Sequence, residues 1–252
     1  MILVMIGQRI PYLNQRVTKM IRANLIDYMG SDLSVVNAAR VSFGKKSGWE
    51  RFDMRGIGNE GILKEKDSKL IHYLAKHGHY SPFGHCFASF HIKAPIFVAR
   101  QLVKHKFLRW NEISRRYVDT KPEFYVPDVW RGKAEDKKQG SDGVIEEATH
   151  ILYSNNEFYG CIDETDPYYQ CLHSYEGLLR LGVCPEQARM VLPQSMMTEW
   201  YWSGSLDAFA DMCNLRTKND TQWETRDVAF QIDAEMQNLY PVSWLALTRG
   251  IQ

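Results

Sequence analysis

The sequence predicts one domain that mixes strands with helices and becomes mostly helical in its C-terminal half, and three observations carry that expectation. Its 252 residues are 44% hydrophobic, enough to bury a core without disulfides or metals. No Pro/Ser-rich linker or abrupt change of composition marks a boundary, so residues 1–252 are taken as one unit. The hydrophobic period also changes along the chain, from an alternation of two near residue 90 to helical spacings on either side.

Taken in order, the apolar run Met1–Ile6 reads as a first strand, too short for a signal sequence or a membrane span. Ser31–Arg40 reads as a helix capped by Ser31, with Val41–Phe43 as an extended exit. Gly44–Lys66 lacks a sustained period and reads as loop. It contains a formal G-x-G-x-x-G match, Gly56–Gly61, but no buried strand feeds those glycines, so a dinucleotide-binding turn is rejected. Asp67–His77 carries the helical stripe Leu70, Ile71 and Leu74, with Gly78 as terminator. Cys86, Ala88, Phe90 and Ile92 alternate with Phe87, Ser89, His91 and Lys93, which predicts a strand. Pro95 then suits the first turn of a helix over Ile96–Lys106. Trp130–Glu147 reads as a solvated excursion. Two helices broken near Asp166–Pro167 follow within Gly143–Leu181, then helices over Cys184–Leu192, Ser205–Arg216 and about Asp220–Leu239, the last stopped by Pro241.

Thirty-one basic against thirty acidic side chains leave a formal charge of +1, which argues against a polyanion binder held by bulk charge. Any anion site must be local. The five cysteines are scattered and form no C-x-x-C pair, so neither a disulfide framework nor a zinc ribbon is expected, and a reducing, cytoplasmic setting fits. No segment reaches the roughly 20 apolar residues of a spanning helix.

Chemistry concentrates between Lys104 and Tyr117, where Lys104, Lys106, Arg109, Arg115 and Arg116 stand against Glu112 alone. Guanidinium and ammonium donors suit phosphate oxygens, and Ser114 with nearby backbone amides could complete a cradle. A solvated charged loop is the plain alternative. On the helix expected over Ile96–Lys106, Gln101, Lys104 and His105 share one face at i, i+3 and i+4, a first candidate for chemistry. Arg189 and Arg216 sit in apolar helical contexts and need partners, for which a structural salt bridge is the bland explanation.

The segment Lys104-His105-Lys106-Phe-Leu-Arg109-Trp-Asn111-Glu112-Ile-Ser114-Arg-Arg116-Tyr117 resembles the motif R-H-R-x(2)-S-x-N-E-x-S-x-R-Y of the flavin-dependent thymidylate synthases. Spacing is intact, and the differences are lysine for both flanking arginines and Arg109 for the first serine. Further blocks in the family's order are Ala38–Phe43, His77–His85, Phe90–Gln101, Ala188–Pro193, and Asn214–Arg216 followed by Gln222–Glu224.

This resemblance implies an α+β fold, a sheet packed by helices, and a homotetramer with active sites where subunits meet. It implies FAD-dependent reductive methylation of deoxyuridine monophosphate (dUMP) to dTMP, with methylenetetrahydrofolate as carbon donor and NADPH as reductant. By position, dUMP would be held by Gln101, Glu112, Ser114, Arg115, Arg116, Arg189 and Arg216, with Arg216 the catalytic residue that stabilises charge developing on the uracil. FAD would be held by Ser42, His79, Ser81, Lys104, His105, Lys106 and Glu112. Lysine at 104 and 106 keeps the charge for a pyrophosphate but loses the bidentate fork. Ser205 and Asp211 are carried over to the flavin side as well. Asp207, a carboxylate where the family has a cation, is not. No metal and no cysteine adduct are implied.

Two other readings compete. The histidines His72, His77, His79, His85 and His91 crowd one region, as in a metal-dependent hydrolase, but no H-E-x-x-H appears. The Lys104–Arg116 stretch, with Phe107 and Trp110 interleaved, could bind single-stranded nucleic acid, which the near-neutral net charge opposes.

Overall fold

The strand predicted around Phe90 is the centre of the molecule. The computed structural model describes residues 20–52, 61–127, 129–135, 140–145 and 167–249. The strand expected at Met1–Ile6, the first of the two helices expected between 143 and 181, and most of the Gly56–Gly61 match lie outside them. Strands in chain order are β1 (Arg22–Met29), β2 (Arg51–Phe52), β3 (Gly61–Ile62), β4 (Phe87–Pro95), β5 (Leu108–Glu112), β6 (Arg131–Lys133), β7 (Ser141–Val144) and β8 (Met197–Ser205). Helices are α1 (Asp32–Arg40), α2 (Glu65–Lys76), α3 (Ile96–Leu102), α4 (Pro167–Arg180), α5 (Pro185–Ala188), α6 (Leu206–Arg216), α7 (Trp223–Leu239) and α8 (Pro241–Thr248). None is long and apolar enough to cross a membrane.

Four strands form an antiparallel sheet in the order β1-β4-β8-β5. Ala88, Phe90 and Ile92 of β4 and Trp200 and Trp202 of β8 all bury themselves on one face. Their neighbours Ser89, His91, Lys93, Glu199, Tyr201 and Ser203 occupy the other, as a period of two demands. Against the buried face pack α6, α7 and α8, with Phe209 edge-on to both Phe90 and Trp202 at 5.3 and 5.6 Å between ring centres. The α+β expectation therefore holds, with one addition: β8, the longest strand beside β4, sits inside the half expected to be mostly helical.

Local chemistry explains the ends. Ser31 caps α1 through a reciprocal pair with Ser34. Val41–Phe43, expected to be extended, instead forms a tight 3-10 turn closed by Gly44 at φ +62°. Asp67, fully buried in the first turn of α2, accepts hydrogen bonds from Arg40 and from the Ser47 hydroxyl, tying α1, α2 and the following loop together. Gly78, at φ +69°, turns the chain after α2. Pro241 ends α7 but also begins α8, whose first free amides, on Val242 and Ser243, donate to the buried carboxylate of Asp32 at 2.9 and 2.8 Å. The Cys184–Leu192 helix is only the single turn α5 followed by a 3-10 turn at Arg189–Val191. Within the Trp130–Glu147 excursion, β6 and β7 pair as a hairpin.

Candidate active site

Helix α3 starts where β4 ends, runs back along the sheet, and stops at Leu102, four residues short of its expected end. Lys104 and His105 are therefore not on a helical face with Gln101. The His105 amide bonds the Leu102 carbonyl, and Phe107, at φ +65°, turns the chain sharply into β5. This fold-back seats the His105 ring against the edge of Trp202, 6.4 Å between centres.

There it meets Arg216, the last residue of α6, where a cation also complements the helix dipole. Arg216 Nε donates to His105 Nε2 at 2.9 Å, and Nη2 donates to the Gln101 carbonyl at 3.0 Å. His105 Nε2 is thus an acceptor, so its ring is neutral. Burial first and the Arg216 charge second lower its pKa from 6.5 to about 4. Burial also lowers the pKa of Arg216 from its ordinary value. The Gln101 amide is fixed at both ends: Oε1 accepts from the Thr225 hydroxyl at 3.2 Å, and Nε2 donates to Gln222 Oε1. Of the five guanidinium N–H groups on Arg216, two are engaged and the rest remain to donate.

At the other end of β5 two adjoining cavities, of about 400 and 440 Å³, share Ile96, Arg100, Glu112, Ile113 and Arg189. Arg115 lines the first, Ser114 and Arg116 the second. Glu112 is held from this chain alone, accepting from the buried Thr198 hydroxyl at 2.7 Å and from Trp110 Nε1 at 3.2 Å. Arg116 lies over the Tyr117 ring, 4.9 Å from its centre, and donates to Ser114 Oγ at 3.3 Å. Arg115 donates to the Thr120 carbonyl. Arg189 is exposed and, like that of Arg100, its guanidinium has no hydrogen bond or ion pair among the described residues. Four guanidiniums against one carboxylate make this a place for an anion rather than a solvated loop.

Of the residues expected around FAD, His105 is in the Arg216 network and Glu112 in the cavity wall, and the others lie elsewhere. Ser42 is exposed on its 3-10 turn, His79 follows α2, and Ser81 precedes the turn Phe83–His85. The Leu206 amide bonds the Cys86 carbonyl at 2.9 Å, which sets that turn beside Ser205, the N-cap of α6. On the opposite side Phe107 and Leu108 press on Gly204, leaving no room there for a side chain, so Lys106 comes to the same end of the sheet. Lys104 and Lys106 are exposed and without ion pairs among the described residues. Asp211 is also exposed; burial and then Asp207 raise its pKa. The β8 partners of Leu108 and Glu112, Gly204 and Trp200, are four positions apart, so within one chain the anion cavity lies roughly 13 Å from this end. Among the described residues no three His, Cys, Asp or Glu side chains group as metal ligands.

Sequence reasoning missed Arg100, Thr198, Gln222 and Thr225 as parts of the site. Gln222 and Arg100 fell within the quoted family blocks, but nothing in their spacing distinguished them from surface residues.

An antiparallel sheet covered by helices, with a guanidinium-lined cavity on one side and a half-buried arginine–histidine pair on the other, defines an α+β protein with a local cationic site. The chain belongs to the thymidylate synthase complementing protein family, whose profile matches residues 24–242. It is 39% identical over 223 residues to the flavin-dependent thymidylate synthase of Kosmotoga olearia, covering 88% of this chain and 87% of that one. The flavin-dependent thymidylate synthase of Thermus thermophilus is also 39% identical, over 88% of this chain and 73% of its own. Among solved structures, a UMP/dUMP methylase PolB from Streptomyces cacaoi bound with 5-Br dUMP superposes with a TM-score of 0.73 at 30% identity, over 91% of this chain and 95% of that one.

Proposed function

We propose that this chain is a flavin-dependent thymidylate synthase: it methylates dUMP to dTMP, taking the one-carbon unit from methylenetetrahydrofolate and its electrons, through FAD, from NADPH. The observation that carries the reading is the arginine-lined cavity joined through α3 to the Gln101–His105–Arg216 network, in a chain of this family. Arg116 and Arg189 grip the phosphate, with Arg115 and Ser114 completing the cradle. Glu112, held by Thr198 and Trp110, orients the nucleotide and borders the flavin. Arg216 presents its remaining N–H groups to the uracil oxygens, where negative charge grows as the proton leaves C5 beside the C4 carbonyl; fixed donors stabilise that charge without reorganising. Gln101 holds the same edge. The proton leaves C5, a methylene and a hydride make the methyl group, and tetrahydrofolate departs.

FAD, when bound and reduced by NADPH, would supply the hydride. The donor set fits such a group: two exposed ammoniums at Lys104 and Lys106 for a pyrophosphate, hydroxyls at Ser42, Ser81 and Ser205, and imidazoles at His79 and His105, with Glu112 and Asp211 alongside. Because Ser42, His79, Ser81, Lys104, Lys106 and Asp211 are exposed and do not line the anion cavity, the reading includes a homotetramer in which one chain's cavity meets another's flavin residues. One domain spans the chain, and the free cysteines fit a cytoplasmic setting. The test is a product assay with dUMP, folate donor, FAD and NADPH. Formation of dTMP dependent on all four is expected, and a colourless protein that binds neither flavin nor dUMP would overturn the assignment.

A further inference from the structure

We propose that Arg100 is a phosphate-binding residue of the nucleotide site and that it sets the preference for the nucleoside monophosphate over the free nucleoside. This rests on the function proposed above and extends it to a residue outside the motif. Ile96, Ala99 and Arg100 lie at i, i+3 and i+4 along α3, and all three line the second cavity together with Val103, the C-cap of the helix. Arg100 and Arg189 line both cavities.

The arginines that serve the fold are paired: Arg40 with Asp67, Arg131 with Glu224, Arg249 with Asp233. Arg100 has no such partner among the described residues. Glu112, the one carboxylate in the cavity wall, already accepts from Thr198 and Trp110. With Arg100, Arg115, Arg116 and Arg189 the wall carries three more positive charges than negative ones. A neutral uracil or sugar gives no reason for that excess, whereas a phosphate monoester brings about two negative charges and oxygens that match guanidinium forks.

The flavin-loaded protein and its Arg100→Met and Arg100→Lys variants would be titrated with dUMP and, separately, with deoxyuridine. Arg100→Met should bind dUMP roughly ten- to a hundredfold more weakly, since a charge-assisted contact is lost. Its affinity for deoxyuridine, its flavin content and its thermal midpoint should stay as in the parent, because Arg100 is exposed, and Arg100→Lys should recover part of the loss. Unchanged dUMP affinity in Arg100→Met would overturn the proposal, as would an equal loss for both ligands or a loss of flavin. A parent protein that itself bound no dUMP would instead remove the functional reading on which the proposal stands.

Discussion

Arg216, His105 and Gln101 hold one another and are held in turn by Thr225 and Gln222, whereas Arg100 and Arg189 face their cavity with no hydrogen bond among the described residues. The first region is half-buried and has most of its geometry set by this chain; the second is exposed and cationic. The contrast matches two tasks. Charge that develops during a reaction is best met by donors already fixed in place, while charge that arrives with a ligand can itself organise loose cations.

The contrast can be broken most forcefully at Arg216. Arg216→Ala should lower kcat by roughly 100- to 1000-fold, the scale of losing a fixed donor to developing charge, while flavin stays bound. Turnover near the parent's, followed by product formation, would remove Arg216 from the chemistry. Arg189→Ala should act differently, raising KM for dUMP by roughly tenfold or more with a smaller change in kcat. Steady-state kinetics separates the two, and a fall in kcat alone would erase the distinction.

A gentler probe uses the titration of His105. Folded, its pKa is about 4; its ordinary value is 6.5. Between those values the unfolded chain takes up a proton that the folded one refuses, so this residue's contribution to stability is complete above about pH 6.5 and is lost as the pH falls toward 4. His105→Gln should flatten the pH dependence of denaturant unfolding across that window. The partial exposure of the ring keeps the effect modest, and an unchanged slope would show that the proton is not coupled to folding.

Elements announced by periodicity and caps were legible: α1 from Ser31, α2 from its Leu/Ile stripe and Gly78, β4 from its alternation, α6 from Ser205. Strand β8 escaped because Tyr201 sits between Trp200 and Trp202, so aromatic residues occupy both faces and the inward set ends on a glycine that reads as a breaker. Strand β5 escaped because its flanking cations suggest a loop. An edge strand with one neighbour needs only Leu108 and Trp110 to pack. Nothing local ends α3 at Leu102: the reversal depends on Phe107 in a left-handed conformation, for which glycine would have been the recognisable signal. By resemblance, the motif put Glu112, Ser114 and Arg116 near the chemistry, and the separate Asn214–Arg216 block put Arg216 there. Thr198, which supports Glu112, and Thr225, which supports Gln101, come from distant parts of the chain and become visible only in the folded structure.

The two amide bonds that Asp32 receives from the start of α8 join positions more than two hundred residues apart. Clipping the chain after Leu239 would strip that carboxylate of both backbone donors and would uncover α2, against which α8 packs. The final helix is accordingly a keystone that locks early and late segments into one arch, and tampering there should be felt as collapse of the whole vault rather than as a frayed edge.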